Sequence, residues 1–300
     1  MGNRVLSSVS CVVIGIAALG SIALQAQTEQ RAMYVSVLDK SGAPIPAISP
    51  SDLVVREDGI AREILRIVPA DEPMQIALLV DDSTAGEPYI REYRQAISGF
   101  ITDMLAASPG GRRHQIALVG LASRPTIITD FSSDPAELQK GVDRIFGQPA
   151  SASFLLDALF EITRGISRRG ATHPVIIALS TEGPEYSQRH FDEVLEPLGE
   201  AGAIFHAITI GNPSNMGTDR STVLQRGTVE NGGQLDMLLT ANALPNRLKQ
   251  LAAELLSEQR VVYARPDSLI PPERATVTSA KPDLVVRGRA VLESDTQERR

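Results

Sequence analysis

Three short segments of the chain gather oxygen-bearing side chains at spacings that could do chemistry. Asp81–Asp82–Ser83–Thr84–Ala85 follows directly on the apolar run Gln75–Val80, and Ser180–Thr181–Glu182–Gly183 follows the apolar run Val175–Leu179. The third opens at Ser153 and continues through Leu155, Asp157, Ala158 and Leu159. Carboxylates and hydroxyls that converge on one crevice are hard donors, suited to Mg²⁺, which keeps several waters and takes few protein ligands. Each residue also has a plainer role open to it. Asp81 and Ser83 could cap the next helix, although Pro88 starts that helix several residues later. Ser153 is a good N-cap, Glu182 could be a solvated loop acid, and Asp157 lies within a helix, where a structural hydrogen bond is expected.

Other chemistries find less support. His114, His173, His190 and His206 are scattered, without metal-type spacing. No Gly-x-Ser-x-Gly elbow marks a serine hydrolase, and no Gly-x-Gly-x-x-Gly or Walker loop follows the first central strand. A carboxylate pair for glycoside hydrolysis stays open, because its separation is a three-dimensional property. Cys11 is the single cysteine, so a chain cleaved behind it has no disulfide, thiolate site or cysteine nucleophile.

The polar segments must be positioned by the elements around them. Gln75–Val80 and Val175–Leu179 are unbroken apolar runs, as in strands buried on both faces of a parallel sheet. Ile116–Leu121, Thr126–Thr129 and Ile204–Ile210 add strands. Pro88–Ala107, Pro135–Phe146, Ser153–Arg168, Ser187–Leu198 and Leu244–Leu256 carry helical periodicity, with Ser108–Gly111 ending the first. Strands alternating with helices predict an α/β fold: a doubly wound, mostly parallel central sheet with helices on both faces. In such sheets ligands bind at the carboxyl ends of the strands, where crossovers diverge. All three polar segments fall at such ends.

Strand-like texture flanks this body. Ala32–Leu38, Asp52–Glu57 and Ala61–Val68 precede it, with Asp58–Gly59 as a hairpin turn, and Arg260–Ala264, Ala275–Thr278 and Leu284–Val291 follow. The flanks are expected to pair into one small β-module, too small to be comfortable alone. The expected division is a signal peptide at 1–26, an N-terminal β-module at 31–70, the α/β domain at 74–258 and a C-terminal β segment at 260–292. Arg4 and the apolar run Cys11–Leu24 before Ala26 give the charged-apolar-small layout of a secretory signal. That run is short for a bilayer span of about 20 residues, so cleavage is expected, with no stable membrane insertion afterwards and a secreted or periplasmic product. The net charge of −7 argues against nucleic acid, which needs a basic face. Arg112–Arg113, Arg168–Arg169 and Arg299–Arg300 read as solvated surface.

With these residues in view, the chain resembles the von Willebrand factor A (VWA) domain family. Asp81-x-Ser83-x-Ala85 stands where the family's metal-ion-dependent adhesion site has Asp-x-Ser-x-Ser. Ser153 stands in place of its Thr, and Thr181–Glu182–Gly183 in place of Thr-Asp-Gly; Asn231–Gly232–Gly233 is also family-like. Leu38–Gly42, Ser51–Gly59 and Tyr263-x-Arg265-Pro266 are similar to a secreted bacterial subfamily, the VWFA-related acidobacterial-type proteins. The resemblance implies a non-catalytic protein-binding module with a metal, Mg²⁺ or alternatively Mn²⁺ or Ca²⁺, at Asp81, Ser83, Ser153 and Glu182. One coordination position would be left for an acidic group of a partner protein. Asp82 and Thr84 occupy the motif's variable positions. Ala85 deletes one hydroxyl and Glu182 moves a carboxylate outward by one methylene, which should weaken binding. A metal-free scaffold domain and an extracytoplasmic hydrolase are the alternatives.

Overall fold

The computed structural model describes residues 28–106, 113–211, 217–266, 270, 272 and 274–290. The expected signal peptide, the helix end at Ser108–Gly111, Val291 and the Arg299–Arg300 pair lie outside the described residues.

The centre is a six-stranded sheet built from β5 (Gln75–Val80), β6 (Gln115–Gly120), β7 (Thr126–Ser132), β8 (Pro174–Thr181), β9 (Ile204–Ile210) and β10 (Leu235–Leu238), in the order β10-β9-β8-β5-β6-β7. All neighbours are parallel except the edge pair β6–β7, which is antiparallel. Central strands need apolar side chains on both faces, and β5 shows why. Ile76, Leu78 and Val80 enter a core with α1 (Ile90–Ala106), α2 (Pro135–Asp143) and α7 (Leu244–Leu256). Leu79 enters a second core with α3 (Leu155–Arg169) and α4 (Phe191–Glu200). The fold is therefore doubly wound. After β5 the chain passes through α1 to β6 on one side, and β8 joins β5 on the other. The ends of β5 and β8 flank the resulting switch point.

Two antiparallel sheets form the flanking module. β1 (Thr28–Leu38), β4 (Ile64–Pro69), β11 (Gln259–Pro266) and β13 (Val285–Ala290) pair in the order β13-β1-β11-β4. β2 (Leu53–Glu57), β3 (Ile60–Arg62) and β12 (Ala275–Ser279) pair in the order β12-β2-β3. Met33, Val35 and Val37 of β1, Val55 of β2, Tyr263 of β11 and Val277 of β12 share a third core between them. Asp58 and Gly59 turn β2 into β3 with φ of 48° and 83°, the left-handed pair that a tight hairpin demands. The expected single run Ala61–Val68 is two strands. β3 completes its hairpin with β2, and the chain then crosses to the other sheet, where β4 pairs with β11 opposite an irregularity at Val262/Tyr263.

The module is fastened to the α/β body by a buried contact. The Tyr34 ring of β1 stacks on His173 with centroids 3.6 Å apart, and His173 Nε2 lies 2.8 Å from a Glu258 carboxylate oxygen. Ser36 Oγ donates to the other Glu258 oxygen at 3.3 Å.

Candidate functional site

Register delivers the polar residues to one place. Val80 pairs with Leu179 and with Gly120, so the segments that leave β5, β6 and β8 emerge side by side at the switch point. A fourth segment, 147–154, is stitched across them. Ser123 N–H donates to Ala152 O, Phe154 N–H to Leu121 O, and Ser153 N–H to Pro184 O at 3.0 Å.

Asp81 is fully buried. One carboxylate oxygen accepts the Ser83 N–H at 3.2 Å and the other accepts the Thr181 hydroxyl at 2.5 Å. Ser83 Oγ is buried and has no hydrogen-bond partner among the described residues. The Tyr93 hydroxyl of α1 is likewise buried and without a hydrogen-bond partner among the described residues. Burial pushes that phenol well above its usual range, with the Asp81 charge adding to the effect. Asp81, Ser83 and Thr181 thus form the centre of the crevice. Ser153 is buried and bridged through its backbone to Ala122 and Glu185. Glu182 is half-buried, and its side chain runs beside Gly211 at the end of β9. Asp157 pairs with Arg189 at 2.8 Å.

The structure changes two local expectations. Ser153 does not cap α3, which starts at Leu155 with no side-chain bond from its N-cap, Phe154. Glu185 does the capping from across the crevice. Its carboxylate accepts the N–H groups of Leu155 at 3.1 Å and Leu156 at 3.5 Å, satisfying donors that a helix start leaves open. Burial raises the Glu185 carboxyl above the ordinary range, against the hydrogen bonds that pull it down. Asp82, at a variable position of the motif, is a buried structural knot. One of its oxygens accepts the N–H groups of Leu121 at 2.9 Å and Ala122 at 2.8 Å, and the other accepts Gln148 Nε2 at 3.0 Å.

Arg220 is a site residue that spacing alone did not indicate. It comes from α5 (Asp219–Thr222), which runs through a π-helical turn, Val223–Gly227, into α6 (Thr228–Glu230). Its guanidinium donates to Gly183 O at 2.9 Å and to Thr181 O, holding the loop that carries Glu182. Nothing in the sequence links position 220 to 181–183, because the connection is to backbone carbonyls.

Small residues explain the tightness of the crevice. A Cβ at Gly86 would lie 1.7 Å from Asp81 O, and one at Gly183 would lie 2.2 Å from the Ala85 Cβ. Ala85 is therefore packed against the loop that brings Thr181 to Asp81. Gly86→Ala must push the Asp81 carbonyl aside, and overpacking of this kind costs about 1–3 kcal/mol. The expected result is a lower Tm together with changed backbone amide shifts at 81–83 and 181–183, measured by NMR.

No family model matches the chain, and no curated protein matches it. Among solved structures it is similar to a von Willebrand factor type A protein from Catenulispora acidiphila, with 11% identity over 91% of this chain and 76% of that one and a TM-score of 0.49. It is similar to the von Willebrand factor domain of the type V pili tip protein Mfa5 from Porphyromonas gingivalis, at 12% identity, 61% and 95% coverage and a TM-score of 0.48. Proximal thread matrix protein 1 from the mussel byssus, solved with a zinc-occupied MIDAS motif, matches at 15% identity and a TM-score of 0.47. The chain covers 50% of that mussel protein, with 70% of its own length aligned. The central domain is a doubly wound α/β fold with one antiparallel edge strand.

The donor set of the crevice is one carboxylate with hydroxyls around it. Among the described residues no group of three or more His, Cys, Asp or Glu side chains is placed to hold a metal, so a nitrogen- or sulfur-rich centre does not fit. Hard oxygens and an orphaned buried hydroxyl do fit a small divalent cation that keeps several waters.

Proposed function

We propose that the chain is an exported, non-catalytic protein-binding module of the adhesion or interaction type, whose crevice at Asp81 takes a divalent cation. The observation that supports this most is the Ser83 hydroxyl, buried beside the Asp81 carboxylate without a hydrogen-bond partner among the described residues. A buried polar group left unpaired costs free energy unless something meets it. Asp81, Ser83, Ser153 and Glu182 would hold Mg²⁺, or Mn²⁺ or Ca²⁺ in its place. When bound, the ion supplies a Lewis-acidic position that an acidic side chain of a partner protein can fill. The chain's own part is to hold the loops: Arg220 fixes 181–183, Glu185 fixes the start of α3, and Asp82 fixes 120–122. The signal at 1–26 and the partition at 31–70, 74–258 and 260–292 belong to the same proposal. No helix among the described residues is long and apolar enough to cross a membrane.

Thermal unfolding with EDTA, and then with millimolar Mg²⁺ or Mn²⁺, tests it. A ligand at 100 times its Kd adds about 2.7 kcal/mol of stability, so Tm should rise with metal in the wild type and stay flat in Asp81→Asn. No rise at any concentration, or an equal rise in the variant, overturns the metal site. A second proposal, a metal-free scaffold, is favoured by the Thr181 hydroxyl already bonded to Asp81 at 2.5 Å and by Ala85 packed on Gly183. It expects the flat outcome in both proteins.

A further inference from the structure

A groove runs along the opposite margin of the central sheet, between β7 and α3. Six strands at roughly 4.8 Å spacing are wider than the two full helices, α3 and α4, that pack on this face, each about 10 Å across. The antiparallel edge strand β7 projects beyond α3. The gap measures about 460 Å³, within the range of ligand sites. Its floor is Ala117 and Val119, and its apolar walls are Ile127, Phe131 and Phe160. Ile127 is 62% exposed, an unusual place for a β-branched aliphatic side chain.

The rim carries Arg164, Arg168 and Arg169 against Asp130 and Glu161, a basic excess in a chain whose net charge is −7. Arg164 lies over the Phe160 ring at 5.4 Å and Arg169 over Phe131 at 5.0 Å; Arg189, which lines a different cavity, approaches Phe160 at 3.6 Å. Stacked guanidinium planes leave their N–H edges turned outward for carboxylates. Two local acids are already used, Asp130 by Arg169 and Asp157 by Arg189. Arg164 and Arg168, one turn apart on α3, have no carboxylate partner among the described residues. Basic residues at a helix C-terminus offset the helix dipole, which accounts for Arg168 and Arg169. It does not account for Arg164, a turn earlier, or for an exposed isoleucine opposite two phenylalanines.

We propose that this groove docks an acidic segment of a partner protein that inserts an aromatic or aliphatic side chain between Ile127 and Phe160. Arg164 and Arg168 meet the flanking carboxylates. Charge complementarity selects the occupant: an acidic peptide is repelled by most of this surface and attracted here, while the apolar slot supplies the anchor. The inference is independent of the cation crevice.

Fluorescence anisotropy with a labelled peptide of alternating glutamate and phenylalanine tests it, using the full chain. The wild type should bind, more weakly as salt rises. The Arg164→Glu/Arg168→Glu double variant should lose about tenfold or more in affinity while its circular dichroism stays unchanged and its Tm falls only slightly, since both residues are exposed and Arg168 gives up only its favourable place at the helix end. Ile127→Asp should weaken binding comparably, and Asp81→Asn should leave it intact. A lysine-for-glutamate peptide and a glutamate-only peptide should both bind poorly. No binding by the wild type, equal binding by the double variant, equal binding of the glutamate-only peptide, or capture by anionic lipid vesicles in place of the peptide would each overturn the proposal.

Discussion

Glu57→Ala should lower the stability of the protein by about 3–5 kcal/mol, the range for removing one member of a buried ion pair. Glu57 is 2% exposed and sits between the two sheets of the flanking module. Its carboxylate accepts the Tyr263 hydroxyl at 3.1 Å and Arg62 Nε at 2.9 Å, and Arg265 Nε approaches to 3.5 Å. Arg265 is also 2% exposed. Without Glu57 the buried guanidinium would lose that contact. Burial, with the Glu57 charge adding to it, holds the Tyr263 phenol above its usual range. Glu57→Gln, which keeps an acceptor for Tyr263 and loses the charge, should fall between. Urea unfolding with linear extrapolation measures both, and an unchanged slope would mark a pure change of stability. The shape of the curve carries separate information. One transition means that the flanking module and the α/β body unfold together; two mean that the boundaries near 70 and 259 divide independent units.

Asp82→Ala should cost about 2–3 kcal/mol and, unlike Glu57→Ala, should disturb the crevice. The Leu121 N–H keeps Val80 O at 3.0 Å, but Ala122 N–H loses its one acceptor among the described residues. A buried donor left unmade costs about 1–3 kcal/mol, and the gap beneath Gly120 adds to it. Asp82→Asn retains an oxygen for both N–H groups, and the Gln148 amide can turn to face the new donor, so about 1 kcal/mol or less is expected. The asparagine variant also isolates a pH effect. Burial is the largest influence on Asp82 and raises its pKa, against the hydrogen bonds from Ala122 and Gln148. A raised folded-state pKa means that the folded chain holds the proton more tightly than the unfolded chain does. Its contribution is fully present below the ordinary carboxylate pKa and is lost as pH rises through the elevated value. Wild type should therefore gain on Asp82→Asn as the solution is acidified through that window. Equal pH profiles for the two proteins would count against it.

How far these features could be read from the chain depends on how local their causes are. Gln75–Val80, Ile204–Ile210 and Leu244–Leu256 have the same limits in sequence and in structure, because an unbroken apolar run or a regular leucine stripe states its own burial. The strand β10 has four residues, all half-buried, and gives no such signal. Nor does the helical stretch from Asp219, interrupted by its π-turn. Ser153 shows the limit at the site. Its type suits an N-cap, yet the cap comes from Glu185, thirty residues beyond Leu155. The position of Asp81 and Ser83 just past a strand end was legible because the apolar run Gln75–Val80 states its own limit. Thr181 as the hydroxyl bonded to Asp81, Arg220 beneath the loop and the Ala85–Gly183 contact are all pairings across the sheet. No spacing rule reaches them.

The place of β1 has a consequence for the order in which the chain can be completed. It lies between β11 and β13, so both its hydrogen-bonding edges are reserved for residues 259–266 and 285–290. A chain that emerges amino end first must carry Met33, Val35 and Val37 without their hydrogen-bonded neighbours until residues 259–290 have been synthesised. The α/β body, whose strands are all drawn from 75–238, can close earlier around contacts of shorter range. Late closure of long-range antiparallel pairs is slow and leaves an open strand edge meanwhile. Of the described strands, β1 is thus made first and is among the last to find its neighbours, so its edges stay open longest.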